Sequence, residues 1–156
     1  CFIPDGNYAR FIKKETPLMT EGRFRDRFGK ILGSHNGFYH YTVGQKHGVP
    51  VICGKKYVVT ALRPKSNEVI LGEESELYQK RIFLKELHFI DGSLYSGKIQ
   101  FKICRWGYLY QGTLCLTDNR RGYLECEEAV RAPMPGQAAV FYDGDILLGG
   151  GTIEYK

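Results

Sequence analysis

Cys1 stands just ahead of Pro4-Asp5-Gly6, at a loop edge before a short helix, and a basic, glycine-punctuated stretch follows it. A thiol close to Lys, Arg or a helix N-terminus is partly ionised, and only the thiolate attacks or carries sulfur. Further on, Tyr39-His40-Tyr41-Thr42-Val43-Gly44-Gln45-Lys46-His47-Gly48 interleaves aromatics with cations, a mixture suited to unstacked bases and phosphates. Tyr39 and Tyr41 suit a core as well as a base platform, and both readings stay open at this point. Ten Lys and Arg lie between Arg10 and Lys56 against three acids, together with three of the four histidines. That stretch carries +7 and the rest of the 156-residue chain, at −2, is slightly acidic, so the positive field behind the net charge of +5 is concentrated where a polyanion could neutralise it.

The residue types exclude several other chemistries. His35, His40, His47 and His88 lack ligand spacing and have no cysteine near them in sequence, so no metal is expected. Gly149-Gly150-Gly151 ends a hairpin and leads into no helix, so no phosphate-cradling loop and no nucleotide site are expected. No serine occupies a strand-turn-helix elbow, which argues against a hydrolase. The longest apolar run, residues 138–142, has five members where a membrane helix needs about 20, so no membrane span is expected. With Cys1, the other four cysteines, Cys53, Cys104, Cys115 and Cys126, make an odd total of five with no Cys-x-x-Cys pair, which reads as reduced thiols in the cytoplasm. Cys104, Cys115 and Cys126 fall in alternating strand-like runs and are expected to be small, buried apolar residues.

The elements that must position these groups are mainly β. Tyr8, Phe11 and Ile12 follow Asp5 at helical spacing and Pro17 blocks extension, which predicts one short N-terminal helix. Tyr39, Tyr41 and Val43 alternate with His40 and Thr42, which predicts a strand. Residues 56–62 and 68–71 read as a hairpin around Pro64-Lys65-Ser66-Asn67. Beyond residue 78, short strands recur every 10–15 residues, joined by turns at 118–122 and at Asp143-Gly144. Such regular strands with almost no helical periodicity predict a small closed barrel or sandwich. The chain is expected to divide into a cysteine loop with the start of the helix (1–12), a β-rich central domain (13–77) and a C-terminal antiparallel β-barrel (78–156). A row opening on cysteine rather than methionine is expected to be a processed or truncated piece.

Five blocks then carry a resemblance. Cys1-Phe2-Ile3, residues 33–37 (Gly-Ser-His-Asn-Gly), residues 41–48, the run from Pro135-Gly136-Gln137 to Asp145, and Leu148-Gly149-Gly150-Gly151 closely resemble the tRNA-specific 2-thiouridylase family in order and spacing across the whole chain. The resemblance implies the C-terminal part of such an enzyme, beginning at its second catalytic cysteine. It implies that the wobble uridine of tRNA is activated with ATP and Mg in an N-terminal domain absent from this row. Cys1 then matches the cysteine that carries sulfur as a persulfide, supplied by a sulfur-relay donor protein, and can form a disulfide with another active cysteine upstream. No cofactor is implied for this segment itself.

For tRNA contact the resemblance implies Gln137, the pair Cys104-Arg105, and Lys46-His47. Two of these positions depart from the family pattern. Gly-Gln-Arg-Lys-Gly becomes Gly44-Gln45-Lys46-His47-Gly48, which leaves one permanent cation and one whose charge depends on pH. The Arg-Tyr pair of Lys-x-Arg-Tyr-Arg falls on Cys104-Arg105, so the aromatic is lost and the charge moves by one position. Trp106 then offers a replacement stacking surface or a cover for the barrel end, and Gln137 either contacts RNA or ties down its own loop. Two further readings compete with the enzyme: a non-catalytic RNA-binding β-barrel module, and a redox sensor built on Cys53 or Cys104.

Overall fold

The computed structural model describes residues 21–52 and 54–154, so the expected helix after Asp5, Cys1 and Cys53 lie outside the described residues. Two compact units divide between Glu76 and Leu77. In the first, β1 (Gly22–Arg25), β2 (Ile31–His35), β3 (Val58–Arg63) and β4 (Glu68–Gly72) form one sheet in the order β2-β1-β4-β3. β1 and β2 are antiparallel, as are β3 and β4, whereas β1 runs parallel to β4. The inner position of β4 explains its continuous apolar run, since Val69, Ile70 and Leu71 are all buried. The predicted β3–β4 hairpin is present, turning through Pro64–Ser66 and a left-handed Asn67 at φ 50°. Asn67 is buried. Its side-chain carbonyl accepts from Phe38 N (3.0 Å) while its amino group donates to the Glu21 carbonyl (2.9 Å), fastening two loops to the hairpin.

The strand expected over Tyr39, Tyr41 and Val43 is not formed. Phe38–His40 makes a single 3-10 turn, closed by Tyr41 N–H donating to Phe38 O at 3.0 Å. Gly37 at φ 118° and Gly44 at φ 87° bend the chain on both sides, so alternation here reflects turns rather than extension. Tyr39 is buried and Tyr41 half-buried, edge-on to Phe24 at 5.2 Å. Both tyrosines therefore belong to packing, and neither is an open base platform.

The second unit is a closed barrel of β5 (Tyr78–Phe89), β6 (Gly97–Lys102), β7 (Tyr110–Asp118), β8 (Arg121–Arg131), β9 (Ala138–Asp143) and β10 (Ile146–Glu154), ordered β10-β5-β8-β7-β6-β9. Every neighbouring pair is antiparallel. Alternate residues point inward, and Leu84, Phe101, Leu114, Leu124 and Phe141 are fully buried in the barrel core. Residues 149–151, expected to end a hairpin, lie inside its return strand, β10, which continues to Glu154. Their lack of side chains is what lets the strands close here: a Cβ on Gly150 would sit 2.7 Å from the Ala139 carbonyl oxygen, and one on Gly149 would collide with that of His88.

Two cysteines depart from the burial expected of them. β6 ends at Lys102, because its ladder with β7 stops at Phe101↔Tyr110, so Cys104 sits in an exposed turn. Cys115 lies on the opposite parity from Leu114 and is only half-buried. Cys126 alone meets the expectation, and burial pushes its thiol up to about 12.

Candidate functional site

Two turns built on Gly-Gln carry the sequence-predicted site residues, one in each unit. In the first unit Gln45 N donates to Thr42 O (3.0 Å), and the Gln45 side-chain carbonyl accepts from Thr42 N (3.0 Å). Gly44 N donates to Val59 O (2.8 Å) and Val59 N to Gln45 O (3.0 Å), which zips the turn onto β3. In the barrel the same bonds recur. Gln137 N donates to Met134 O (3.1 Å), the Gln137 side chain accepts from Met134 N (3.0 Å), Gly136 N donates to Ile153 O (2.9 Å) and Ile153 N to Gln137 O (2.8 Å). Both glycines hold left-handed backbone, at φ 87° and 88°. Positive φ at the third position is what a type II turn demands, and Pro135 pre-sets the second position of the barrel turn.

Gln137 therefore does tie down its own loop. Because the Met134 N–H is a donor, the amide oxygen must face it and the amino group turns away. That amino group makes no hydrogen bond among the described residues, whereas the Gln45 amino group donates to His47 O at 2.7 Å. Gln137 is exposed and lines a cleft of about 410 Å³ with Lys102, Cys104, Arg105 and Tyr142. The pairing Lys102↔Val140 between β6 and β9 creates this meeting. Three of the predicted contact residues, Cys104, Arg105 and Gln137, thus converge although 32 positions separate the outer two. No acidic residue lines the cleft, although the barrel over residues 77–154 carries nine Lys and Arg against nine acids. Lys102 was not singled out as a site residue from sequence. Only strand pairing signals its membership.

Lys46 and His47 are exposed beside a second recess, of about 430 Å³, shared with Val49, Val51, Lys56 and Tyr57. Here the predicted concentration of positive charge is weakened in space. Lys46 pairs with Glu74 (3.0 Å), Lys55 with Glu73 (2.7 Å), Arg27 with Glu76 (3.8 Å), and Arg25 with Glu68 (2.5 Å). The acids come from 68–76, just past the stretch that reads as basic, and the fold returns them to it. The Ser66 hydroxyl, then Arg25 and Arg63, hold the Glu68 carboxyl below the usual range, and Lys55 does the same for Glu73.

His35, in the Gly-Ser-His-Asn-Gly block, is buried rather than poised for chemistry. Its Nδ1 accepts from Gly37 N at 3.0 Å and its ring packs against Phe24 (4.9 Å) and Tyr41 (5.3 Å). Burial holds its pKa below 6.5. A neutral imidazole that fixes a glycine turn is a structural part. Among the described residues no group of three or more His, Cys, Asp or Glu could hold a metal, and no helix is long and apolar enough to cross a membrane.

Comparison with known proteins follows the same division. A family model described as the tRNA methyl transferase PRC-barrel domain matches residues 9–73, and one described as the aminomethyltransferase β-barrel domain matches residues 79–153. The curated tRNA-specific 2-thiouridylase MnmA of Caldicellulosiruptor saccharolyticus is 37% identical over 156 residues, covering 99% of this chain and 43% of that protein. The protein of the same name from Lachnoclostridium phytofermentans is 39% identical over 163 residues, covering 98% and 44%. That of Carboxydothermus hydrogenoformans is 37% identical over 159 residues, covering 100% and 44%. The chain thus spans less than half the length of the curated relatives it matches.

Proposed function

We propose, from the premise that this chain belongs to the tRNA-specific 2-thiouridylase family, that it supplies the tRNA-docking surface and the sulfur-carrying thiol of an enzyme that 2-thiolates tRNA uridine. Docking is the work of the barrel cleft. The observation that carries this is the convergence of Cys104, Arg105 and Gln137 with Lys102 around a recess free of acids on an otherwise neutral barrel. Lys102 and Arg105 meet phosphates, and the outward amino group of Gln137 donates to a ribose or a base edge. Lys46 and His47 add a weaker, partly neutralised contact from the first unit.

Cys1, outside the described residues, carries the transferable sulfur as a persulfide. Its outer sulfur bonds to C2 of the adenylated uridine as AMP leaves. The thiolate of the upstream cysteine then attacks the Cys1 sulfur, breaking the S–S bond so that the 2-thio group stays on the tRNA and a disulfide remains for a thiol reductant to reopen. A persulfide is a soft, strong nucleophile, which suits attack at an activated carbon. ATP and Mg do not fit the residues described here. The helical pieces among them are 3-10 turns of three or four residues, no glycine-rich loop leads into a helix, and no group of three or more His, Cys, Asp or Glu could hold a metal ion. Family membership supports placing uridine activation in the portion of the relatives that this chain does not match. The sulfur reaches Cys1 from a relay protein in the cytoplasm.

One pair of measurements tests this reading. Binding of the chain to a tRNA transcript is expected to weaken from 50 to 200 mM salt, with a slope of log K against log[salt] of about −0.7 to −0.9 per phosphate neutralised. A flat response removes the phosphate contacts from the proposal. In the longer enzyme, Cys1→Ser is expected to abolish thiolation while tRNA binding persists. Retained thiolation would leave the chain a binding module only.

A further inference from the structure

The turn that carries Cys104 presents two other side chains more openly. Gly107 N donates to Cys104 O at 3.1 Å, closing a tight turn with Arg105 and Trp106 at its two corner positions. Corner side chains of such a turn project away from the strands. Trp106 is 88% exposed, so it does not cover the barrel end. The Arg105 guanidinium lies 4.9 Å from the centre of the indole ring, a cation–π pairing that holds the two side chains together. Tyr108, 65% exposed, follows on the same loop and meets Tyr110 edge-on at 5.2 Å, while Tyr110 stacks on the buried Phe101 at 5.6 Å. A ring ladder thus runs from the barrel core to the loop that carries the tryptophan.

A large exposed indole offers a broad apolar face with a polar N–H, the combination enriched where proteins meet their ligands and partners. The surroundings select the occupant. Arg105 beside the ring and Lys102 in the adjoining cleft are cationic, no acid lines that cleft, and the Gln137 amino group is outward. A flat apolar ring flanked by cations and an amide donor is complementary to a nucleobase on its phosphate backbone. An apolar protein partner would have no use for the cations.

We propose that Trp106, backed by Arg105, is a stacking platform for one unpaired base of the bound RNA. This rests on the tRNA-docking reading above and adds the kind of nucleotide that the cleft selects, one from a loop or a splayed end rather than a paired stem. Duplex bases are already stacked and offer no free face.

The chain's one tryptophan makes the test direct. Titration with a tRNA transcript should quench Trp106 fluorescence with the same midpoint as binding read by gel shift, and a fully paired RNA duplex should leave it unchanged. Trp106→Ala should weaken tRNA binding about tenfold or more, and Trp106→Phe, which keeps a ring, by much less. Salt-dependent tRNA binding with unchanged fluorescence and an unaffected Trp106→Ala overturns the platform while docking stands. Equal quenching by the duplex overturns the choice of an unpaired base. No tRNA binding by any form overturns docking and the platform together.

Discussion

The turns at Gly44-Gln45 and Gly136-Gln137 have the same backbone bonds, the same left-handed glycine and the same side-chain carbonyl clamp, yet they differ in one donor. Gln45 spends its amino group on the His47 carbonyl, so every polar arm of that side chain serves its own loop. Gln137 holds its loop with the oxygen alone and keeps the amino group outward, over the acid-free cleft. Clamping is thus common to both glutamines and explains why each follows a glycine. Only the spare donor separates a structural glutamine from one equipped to bind. Motif matching alone weights the two equally.

Exchange of each glutamine for glutamate should produce the largest contrast. In Gln45→Glu one carboxylate oxygen still accepts from Thr42 N, but the other faces the His47 carbonyl that the amino group had been donating to. The first unit should lose about 1–2 kcal/mol, read by hydrogen exchange of the 42–48 amides and of β3. In Gln137→Glu the clamp oxygen survives and nothing inside the barrel loses a donor, so barrel stability should hold while tRNA affinity falls about tenfold from the lost donor and the added negative charge. Equal destabilisation of the two units would show that the amino group of Gln137 is as structural as that of Gln45.

What was legible in the sequence follows the range of the interactions. Pro135-Gly136-Gln137, Asp143-Gly144 and Pro64-Lys65-Ser66-Asn67 announce their turns because the bonds that close them are local. The barrel strands announce themselves through period-two burial, as in Ile99 and Phe101 or Leu124 and Cys126. The strand expected at Tyr39–Val43 failed because the same alternation arises when aromatic side chains pack around two left-handed glycines, Gly37 and Gly44. Cys104 was misplaced because alternation does not say where a ladder stops, and β6 stops two residues earlier. The parallel pairing of β1 with β4 had no local signal, since it joins segments more than forty residues apart. Nor did the neutralising acids, which only that fold brings back to Arg25, Lys46 and Lys55. The site was legible as motifs, but its membership was not. Lys102 joins through the pairing of β6 with β9, and the exposure of Trp106 follows from a turn rather than from its type.

The units should also separate in acid. His35 is buried in the first unit, where burial, opposed by a backbone acceptor at Arg23 and reinforced by His40, holds its pKa below 6.5. The unfolded chain therefore takes up this proton at higher pH than the folded one, so stability is full above pH 6.5 and is lost as pH falls below it. Protonation also removes the Nδ1 lone pair that accepts from Gly37 N. The barrel's His88 is exposed and buries no such group. Between pH 6.5 and 5 the first unit should weaken by at most about 1.4 kcal/mol per pH unit, one proton's worth, while the barrel core keeps a constant opening free energy, read from hydrogen-exchange protection referred to the intrinsic rate at each pH. An NMR titration placing the His35 imidazole above 6.5 would reverse the sign and remove the effect.

The smallest expected effect concerns the difference in charge between the two surfaces. Lys46 is held by Glu74 at 3.0 Å, with both side chains more than a third exposed, so the pair costs little to break and a phosphate competes with a carboxylate for the same ammonium. The Glu74→Gln change should release Lys46, raise tRNA affinity about twofold and steepen the salt slope by less than one phosphate's worth. An increase of tenfold or more would make the Lys46 loop, and not the barrel cleft, the principal contact. The glutamine exchange at 137 would then matter less than the one at 45. A small increase with Arg105→Ala still costing more leaves the cleft dominant, which is the order expected where one surface has its cations balanced by acids and the other does not.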